Sequence, residues 1–424
     1  MKETVIFILI LFIPTILFSQ ESNLNKFFEY FMNNDFENAR SYLEQNIKAD
    51  PENKELHFYL GKTFLVLKKY QQAKKEFGLA LKNGYSPEHI LKYLGQIYED
   101  QGMLAEAIER YQVVMRLEPK SVRLKLKLAS LYYRQQNYFR SISLLRKFLS
   151  QDSTNLQGYY LMGRAYLRTE KYDSALTIAS KALELDSTHV PNLLNLGIAS
   201  FEKGKLDTAA NSLEKAKQLS PKSDEAKYYL AKTYARSNRL PDAIGLLEEC
   251  HKLTGKYRLK ALKSLVQFYH KIDSLEASIS TAKKYLKEKP EEPLVHHFYA
   301  RALSDKNEFN KANEEFIKAI QFSNQDFISM TYFYRGLNYY YQEKYDKAIK
   351  WYKKVITIDP GFSFAYYNLA VAYDMYYEDK SSAIRYYKKF LELAEGGNAD
   401  SVTIIAAQMR LKELKEKAFF KRGK

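Results

Sequence analysis

The seven histidines are the side chains best suited to bind a metal ion or move a proton, yet their spacing predicts no site. They are scattered along the chain as His57, His89, His189, His251, His270, His296 and His297. No pair has the H-E-x-x-H spacing that places two imidazoles on one helix face around zinc. His296 and His297 are adjacent, so on a helix they point in different directions. We therefore expect no metal site.

A phosphate-binding loop or a nucleophilic residue is not predicted either. Gly61-Lys62-Thr63 resembles the end of a phosphate-binding loop, but that motif needs a glycine where Leu56 stands. The single cysteine, Cys250, falls on an apolar position of a helical pattern, which is typical of a structural residue. It excludes an intramolecular disulfide framework and a cysteine-based zinc site.

Carboxylates are frequent, but nothing in the sequence places two of them in one cleft as a general acid and a general base. G-x-S-x-G and G-x-G-x-x-G are both absent from the chain. We expect no catalytic residue, no cofactor and no small-molecule substrate. An enzyme is the minor alternative.

The composition of the 424-residue chain favours acidic partners. It contains 66 Lys and Arg against 50 Asp and Glu, a formal net charge of +16. Such an excess attracts acidic proteins and anionic surfaces. Nucleic acid is not predicted as a partner, because the charge is spread over many helices and no nucleic-acid-reading motif accompanies it.

The first residues predict export. Residues 5–18, VIFILILFIPTILF, form an apolar run preceded by Lys2 and followed by Ser19-Gln20. This length suits the apolar region of a secretory signal and is short for a bilayer span. We predict a cleaved signal peptide at 1–19, with an uncleaved membrane anchor or a cytosolic chain as alternatives. The expected location is the bacterial periplasm or cell envelope.

A pattern repeated about every 34 residues shows which elements must carry any function. Two apolar patterns of helical period, joined by a short polar turn, fill each period and predict a helical hairpin. Small residues such as Gly95 and Ala107 let the two helices approach closely, and Tyr98 and Tyr111 fill the space beside them. Eleven copies begin near residues 20, 54, 88, 122, 156, 190, 224, 259, 293, 329 and 363.

The spacing of Leu94-Gly95, Tyr98, Ala107, Tyr111 and Pro119 resembles the tetratricopeptide repeat, W-x2-L-G-x2-Y followed by A-x3-F and a Pro. The resemblance implies an all-α superhelix, a solenoid of stacked helical hairpins, over 20–398. In the copy near 259 the small residues are lost. For 399–424 we predict a capping helix and a basic tail. Its apolar residues are expected to cover the last hairpin: Val402, Ile405, Ala406, Met409 and Leu414.

The resemblance also implies a binding face, because repeat positions 2, 5, 9, 12 and 13 of the first helices line the groove of such solenoids. In the middle repeats Glu202 and Asp305 are the acidic residues there, against seven basic ones: Arg134, Arg164, Arg168, Lys232, Arg236, Lys271 and Arg301. We predict a basic groove that binds acidic segments or carboxylates. The alternative is a solvated face that happens to be basic.

Towards the C-terminus the same positions are apolar: Met330, Phe333, Leu337, Tyr340, Tyr341, Phe364, Tyr367, Val371 and Met375. They predict a docking face for a helix or peptide of a partner, or else ordinary core beneath the capping helix. The carboxylate clamp with which some tetratricopeptide-repeat proteins hold chaperone tails is not reproduced, since Gln96 stands where it needs Asn.

The sequence thus predicts a non-catalytic scaffold of the bacterial cell envelope that binds proteins or peptides, acidic ones included, along the groove. Two alternatives remain open. One is a module that binds anionic glycan or lipid and contacts the membrane surface peripherally. The other is a non-catalytic subunit of an envelope enzyme or secretion complex.

Overall fold

A computed structural model describes residues 24–251, 255–323, 325–396 and 399–422. Within these residues the chain forms 23 helices and no strand, which confirms the all-α prediction. The predicted signal peptide lies outside them. The chain forms two compact units, Met1–Ala199 and Ser200–Lys424, and the division falls inside a helix.

The helices of the first unit pack in consecutive pairs. The last helix, α11, extends into the second unit. Their bounds are α1 Asn25–Met32, α2 Phe36–Ala49, α3 Lys54–Val66, α4 Tyr70–Lys82, α5 Pro87–Asp100, α6 Leu104–Leu117, α7 Val122–Arg134, α8 Tyr138–Leu149, α9 Leu156–Arg168, α10 Tyr172–Leu185 and α11 Val190–Glu202.

The second unit continues the same pairing. Its helices are α12 Leu206–Leu219, α13 Asp224–Arg236, α14 Leu240–His251, α15 Arg258–Lys271, α16 Leu275–Leu286, α17 Pro293–Asp305, α18 Phe309–Phe322, α19 Gln325–Tyr340, α20 Tyr345–Ile358, α21 Ser363–Tyr376, α22 Ser381–Ala394 and α23 Ser401–Arg422.

Glycine allows the two helices of a pair to approach closely. A Cβ atom added to Gly95 would lie 2.9 Å from the ring of Tyr111, sixteen residues later on the second helix. Because that is shorter than ordinary van der Waals contact, alanine there would displace the ring. The same pairing recurs in Gly61 with Phe77, at 2.7 Å, and in Gly336 with Tyr352, at 2.5 Å.

A left-handed residue closes the turn inside most pairs. After it, a backbone N–H reaches the carbonyl five residues back, as from Lys69 to Phe64 at 2.8 Å. This bond is the signature of a Schellman-type helix end. In the first unit and at the start of the second, the left-handed residues recur at intervals of 34: Lys68, Gly102, Gln136, Glu170, Gly204 and Asn238.

A side chain near the start of a first helix ties that helix to the turn before it. In four repeats it bonds the carbonyl oxygen six residues earlier, and we call this bond the inter-repeat latch. The four latches are His57 Nε2 to Pro51 O at 2.9 Å, Lys125 Nζ to Pro119 O at 3.1 Å, Tyr159 Oη to Ser153 O at 3.1 Å and His296 Nε2 to Pro290 O at 2.7 Å.

The final helix, α23, packs on α22, but on a different face from the predicted one. Its buried residues are Ala407, Leu411 and Leu414. The side chains expected to be covered are instead open to solvent: Val402, Ile405, Ala406 and Met409. The prediction was therefore right only for Leu414.

The rotation of α23 has a polar cause. The guanidinium of Arg410 donates to both oxygens of Asp374, at 2.6 and 3.2 Å. Asp374 lies on α21 and is buried. Because leaving a buried carboxylate unpaired is costly, this contact selects the face of α23 that turns inward.

Candidate binding face

The first unit holds three of the predicted basic residues, and they differ in how far their charge is neutralised. Arg134 Nη1 lies 2.7 Å from Glu99 Oε1, so the preceding repeat already neutralises it. Arg164 and Arg168 lie one helical turn apart on α9, close enough for like-charge repulsion. A hydrogen bond with Tyr133 nevertheless raises the pKa of Arg168. These two arginines form a local cationic pair.

In the second unit, Lys232 and Arg236 lie together against one aromatic ring. The Lys232 ammonium is 4.7 Å from the centroid of Phe201, and the Arg236 guanidinium carbon is 4.0 Å from it. Arg236 Nη1 also donates to the Phe201 carbonyl oxygen at 2.9 Å. Burial lowers the pKa of Lys232, and Glu202 acts in the opposite direction. The ring orients both cations without neutralising either.

Arg301 brings the two predicted sets of residues together. Its guanidinium carbon lies 4.0 Å from the ring centroid of Tyr334. It lines a small cavity of about 160 Å³ with Leu337 and Tyr341 from the apolar set. Lys271 is exposed at the end of α15. The basic and apolar surfaces therefore meet beside Arg301.

Much of the predicted apolar set is core. Phe333 is only 9 % exposed and packs on Tyr352 and Phe362, as expected from the alternative of ordinary core and not from a docking face. Its inward position follows from that ring cluster on the neighbouring elements. Tyr367 lies 5.2 Å from the ring of Phe390 and is half-buried.

The remaining members of the apolar set divide by exposure. Phe364, Leu337, Tyr340 and Val371 are also half-buried. The exposed members are Met330, Tyr341 and Met375.

One cation on the same face was not found by the sequence analysis. Lys62 occupies the ninth residue of α3, the position equivalent to Lys232 and Arg301 in their helices. Its ammonium lies 5.4 to 5.8 Å from the centroids of four rings: Phe31, Phe58, Tyr59 and Tyr93. Burial lowers its pKa. The repeat register could have found it, had the basic positions been read in the early repeats as well.

Comparison with known families gives matches in four segments. Models described as tetratricopeptide repeat match residues 29–81 and 200–264, and one described as TPR repeat matches 336–375. A model of anaphase-promoting complex, cyclosome, subunit 3 matches 100–182. All four segments lie within the array of helix pairs described above. The chain is a tetratricopeptide-repeat protein.

Several known proteins and solved structures are similar to this chain, at low sequence identity. The crystal structure of the APC/C hetero-tetramer Cut9-Hcn1 is 14 % identical, with 93 % of this chain and 96 % of that chain covered and a TM-score of 0.49. Part of a TPR repeat-containing protein from Cytophaga hutchinsonii is 19 % identical, with 56 % and 98 % covered and a TM-score of 0.47. An uncharacterized protein, ycf37, from Cyanophora paradoxa is 27 % identical over 135 residues, covering 31 % of this chain and 78 % of its own.

The architecture of this tetratricopeptide-repeat protein is that of a protein–protein interaction scaffold. Cys250 is fully buried, which raises the pKa of its thiol to about 12. In the part of the chain that the structure describes, no group of three or more His, Cys, Asp or Glu could hold a metal ion. Over the same residues, no helix has the length and apolar character needed to cross a bilayer.

Two buried histidines belong to the latches. His296 Nδ1 lies 2.5 Å from Glu315 Oε2, while its Nε2 faces the Pro290 carbonyl. Both neighbours are hydrogen-bond acceptors, so the ring is held between a carboxylate on the second helix and the carbonyl of the preceding turn. Burial acts to raise the pKa of Glu315, but the hydrogen bonds from His296 and Lys318 outweigh it, and that pKa lies below its usual value. The pair secures the helix hairpin, and His57 with Glu76 repeats it.

Proposed function

We propose that this protein is a non-catalytic scaffold of the bacterial cell envelope, which binds acidic segments of partner proteins on the first helices of its repeats. The observation that carries the proposal is the arrangement of Lys232 and Arg236 around Phe201. The aromatic face holds these cations in place, and apart from the Arg236 Nη1 bond to the Phe201 carbonyl it leaves their hydrogen-bond donors available to a carboxylate. Arg134 differs from these two cations, because it already forms an ion pair with Glu99.

Charge reversal tests the binding face. In Lys232→Glu/Arg236→Glu, an acidic segment meets repulsion instead of attraction, so partner capture should be lost. The control is Lys217→Glu/Lys222→Glu, which changes the net charge equally at the end of α12 and in the turn after it. Both proteins, and the unaltered one, are used for affinity purification from a crosslinked envelope extract, followed by mass spectrometry.

We expect the control variant to recover a set of envelope proteins in stoichiometric amounts relative to itself. The Lys232→Glu/Arg236→Glu variant should not recover them. Equal recovery by both variants would exclude this face as the binding site. Circular dichroism of each variant establishes that the helices are intact, so that lost capture reports on the surface.

The envelope location rests on the predicted signal peptide at 1–19. Expression of the full chain in a Gram-negative bacterium, followed by fractionation and N-terminal sequencing, tests it directly. We expect a periplasmic protein whose first residue is Gln20. An intact N-terminus in the cytosolic fraction would contradict the envelope assignment and leave the binding face unaffected.

The net charge of +16 supports one second candidate, a module that binds anionic glycan or lipid at the envelope surface. Recovery of lipid or glycan alone in the same purification, released by salt, would favour it over the protein scaffold.

A further inference from the structure

A cavity of about 390 Å³ opens on the first helices of the first unit. Lys62 on α3 lines it together with Gln96 and Asp100 on α5, and Lys68 from the turn after α3 adds a second cation. Its walls include apolar side chains from the end of α3. This size lies within the range of natural ligand sites.

The ammonium of Lys62 has ring faces as neighbours but no oxygen. Four aromatic centroids lie within 5.8 Å of Nζ. Among the described residues it forms neither an ion pair nor a hydrogen bond. An ammonium has three N–H donors, and ring faces stabilise its charge without satisfying those donors in the way that oxygen acceptors do. Half-buried Lys62 thus presents a positive charge and unused donors to the cavity.

The same cavity is also lined by a carboxyl group, that of Asp100, and by the cation of Lys68. Burial, and then the nearby Glu99, raise the pKa of Asp100, while Lys127 and Lys68 counteract this. Gln96 adds an amide that both donates and accepts. A ligand that matches these lining groups carries an anionic group for Lys62 and N–H donors for Asp100.

We propose that this cavity is an anchor site for a glutamate or aspartate side chain within a peptide segment of a partner protein. The carboxylate accepts hydrogen bonds from Lys62, and backbone N–H groups of the same segment face Asp100 and Gln96. This inference rests on the proposed function, because it supplies the acidic residue that such a partner must present. It adds a specific site in the first unit, outside the basic residues that the sequence indicated.

The test uses the full chain and blocked peptides labelled with fluorescein. The probe is an N-acetylated, C-amidated peptide of alternating alanine and glutamate, and its match has glutamine in place of glutamate. A third probe, the glutamine peptide with a free C-terminus, separates a terminal carboxylate from a side-chain carboxylate. Fluorescence anisotropy gives the Kd for each probe.

Lys62→Met keeps the length of the side chain inside the ring cage and removes its charge. We expect it to weaken binding of the glutamate peptide about tenfold. Lys62→Arg, which keeps the charge, should retain most of the affinity. The matched control is Lys82→Met on the exposed end of α4, which should change Kd by less than about twofold.

A local readout accompanies the affinities. The glutamate peptide should protect Lys62 from acetylation by acetic anhydride, measured by mass spectrometry of the digested chain, and should leave Lys82 as reactive as before. Equal loss of affinity in Lys62→Met and Lys82→Met, or unprotected Lys62, would overturn the anchor site. Tight binding of the glutamine peptide with a free C-terminus would overturn the choice of a side-chain carboxylate.

Failure of the anchor and failure of the proposed function give different results. If Lys62→Met binds the glutamate peptide normally while Lys232→Glu/Arg236→Glu does not, the anchor is wrong and the basic face stands. If the unaltered chain binds no acidic peptide, both are wrong.

Discussion

His297 shows, at the residue scale, how its neighbours determine whether a histidine carries charge. It is fully buried on α17, with Nδ1 3.2 Å from the hydroxyl of Thr331. That hydroxyl donates to the Phe327 carbonyl at 3.3 Å, so Nδ1 carries the hydrogen. Burial, and then the nearby Arg301 and His270, lower the pKa of His297 to about 3. Buried His296 has different neighbours, because both are acceptors: the Glu315 carboxylate and the Pro290 carbonyl.

His297 makes the second unit sensitive to acid. Its pKa is near 6.5 when unfolded and about 3 when folded, so between these values only the unfolded chain takes up the proton. The contribution of neutral His297 to the unfolding free energy is therefore fully present above pH 6.5 and is lost as the pH is lowered. From pH 7 to pH 4 we expect a loss of about 3 kcal/mol from this residue. Urea unfolding, followed by fluorescence of the single tryptophan, Trp351, measures it in this unit.

His297→Phe should reduce that loss, because the ring is kept and the titrating group is removed. The exposed His89→Gln is the control and should lose as much stability as the unaltered chain. If His297→Phe and the unaltered chain lose stability equally, the buried imidazole is not the acid-sensitive group.

At the element scale, the repeat register determined most of what could be predicted. The first helices begin at Lys54, Val122 and Ser363 because the apolar period and the turn residues define each hairpin locally. The repeat predicted to start near 329 follows the one near 293 by slightly more than the usual period. The structure begins its first helix, α19, earlier than predicted, at Gln325. The inward face of α23 could not be predicted, because the distant contact of Arg410 with Asp374 fixes it.

The left-handed turns allow a matched test of backbone conformation. Gly102 has φ +75° and Gly78 lies within α4, and a Cβ on either meets nothing within 4 Å. Gly102→Ala should lower the unfolding free energy by about 1 kcal/mol, because alanine disfavours this conformation. Gly78→Ala should raise it by about 1 kcal/mol, because alanine favours a helix. Urea unfolding measures both free energies. If the two substitutions changed the unfolding free energy in the same direction, Gly102 would not have the left-handed conformation assigned to it.

The binding face was only partly predictable, because its residues depend on contacts between elements. Arg301 and Tyr341 were found from their repeat positions, and the structure places both at one cavity. Phe333 occupies an equivalent position, yet neighbouring rings draw it into the core. Whether a cation is neutralised, as Arg134 is by Glu99, likewise depends on a residue 35 positions away. Repeat position identifies candidates, and packing decides among them.

At the scale of the whole molecule, the charge of +16 predicts that ionic strength controls binding. Salt screens the attraction between an acidic segment and exposed cations. Raising sodium chloride from about 0.05 to about 0.5 M should therefore weaken binding of the alternating glutamate peptide by about tenfold or more. The glutamine peptide is the control. An affinity for the glutamate peptide that does not change with salt would show that apolar contacts dominate.

The inter-repeat latches also determine how the chain would yield to mechanical tension. Each latch connects residues six positions apart, and the packing contacts connect helices that are near neighbours in sequence. A force that pulls on the two ends of such a chain is therefore opposed by many separate local contacts, each of which can be lost on its own. We expect the chain to extend in steps, each of which unfolds about one helix pair. Hairpins that have a histidine or lysine latch should unfold after hairpins that have none. A scaffold of this kind would lengthen under load while part of its binding surface stayed folded.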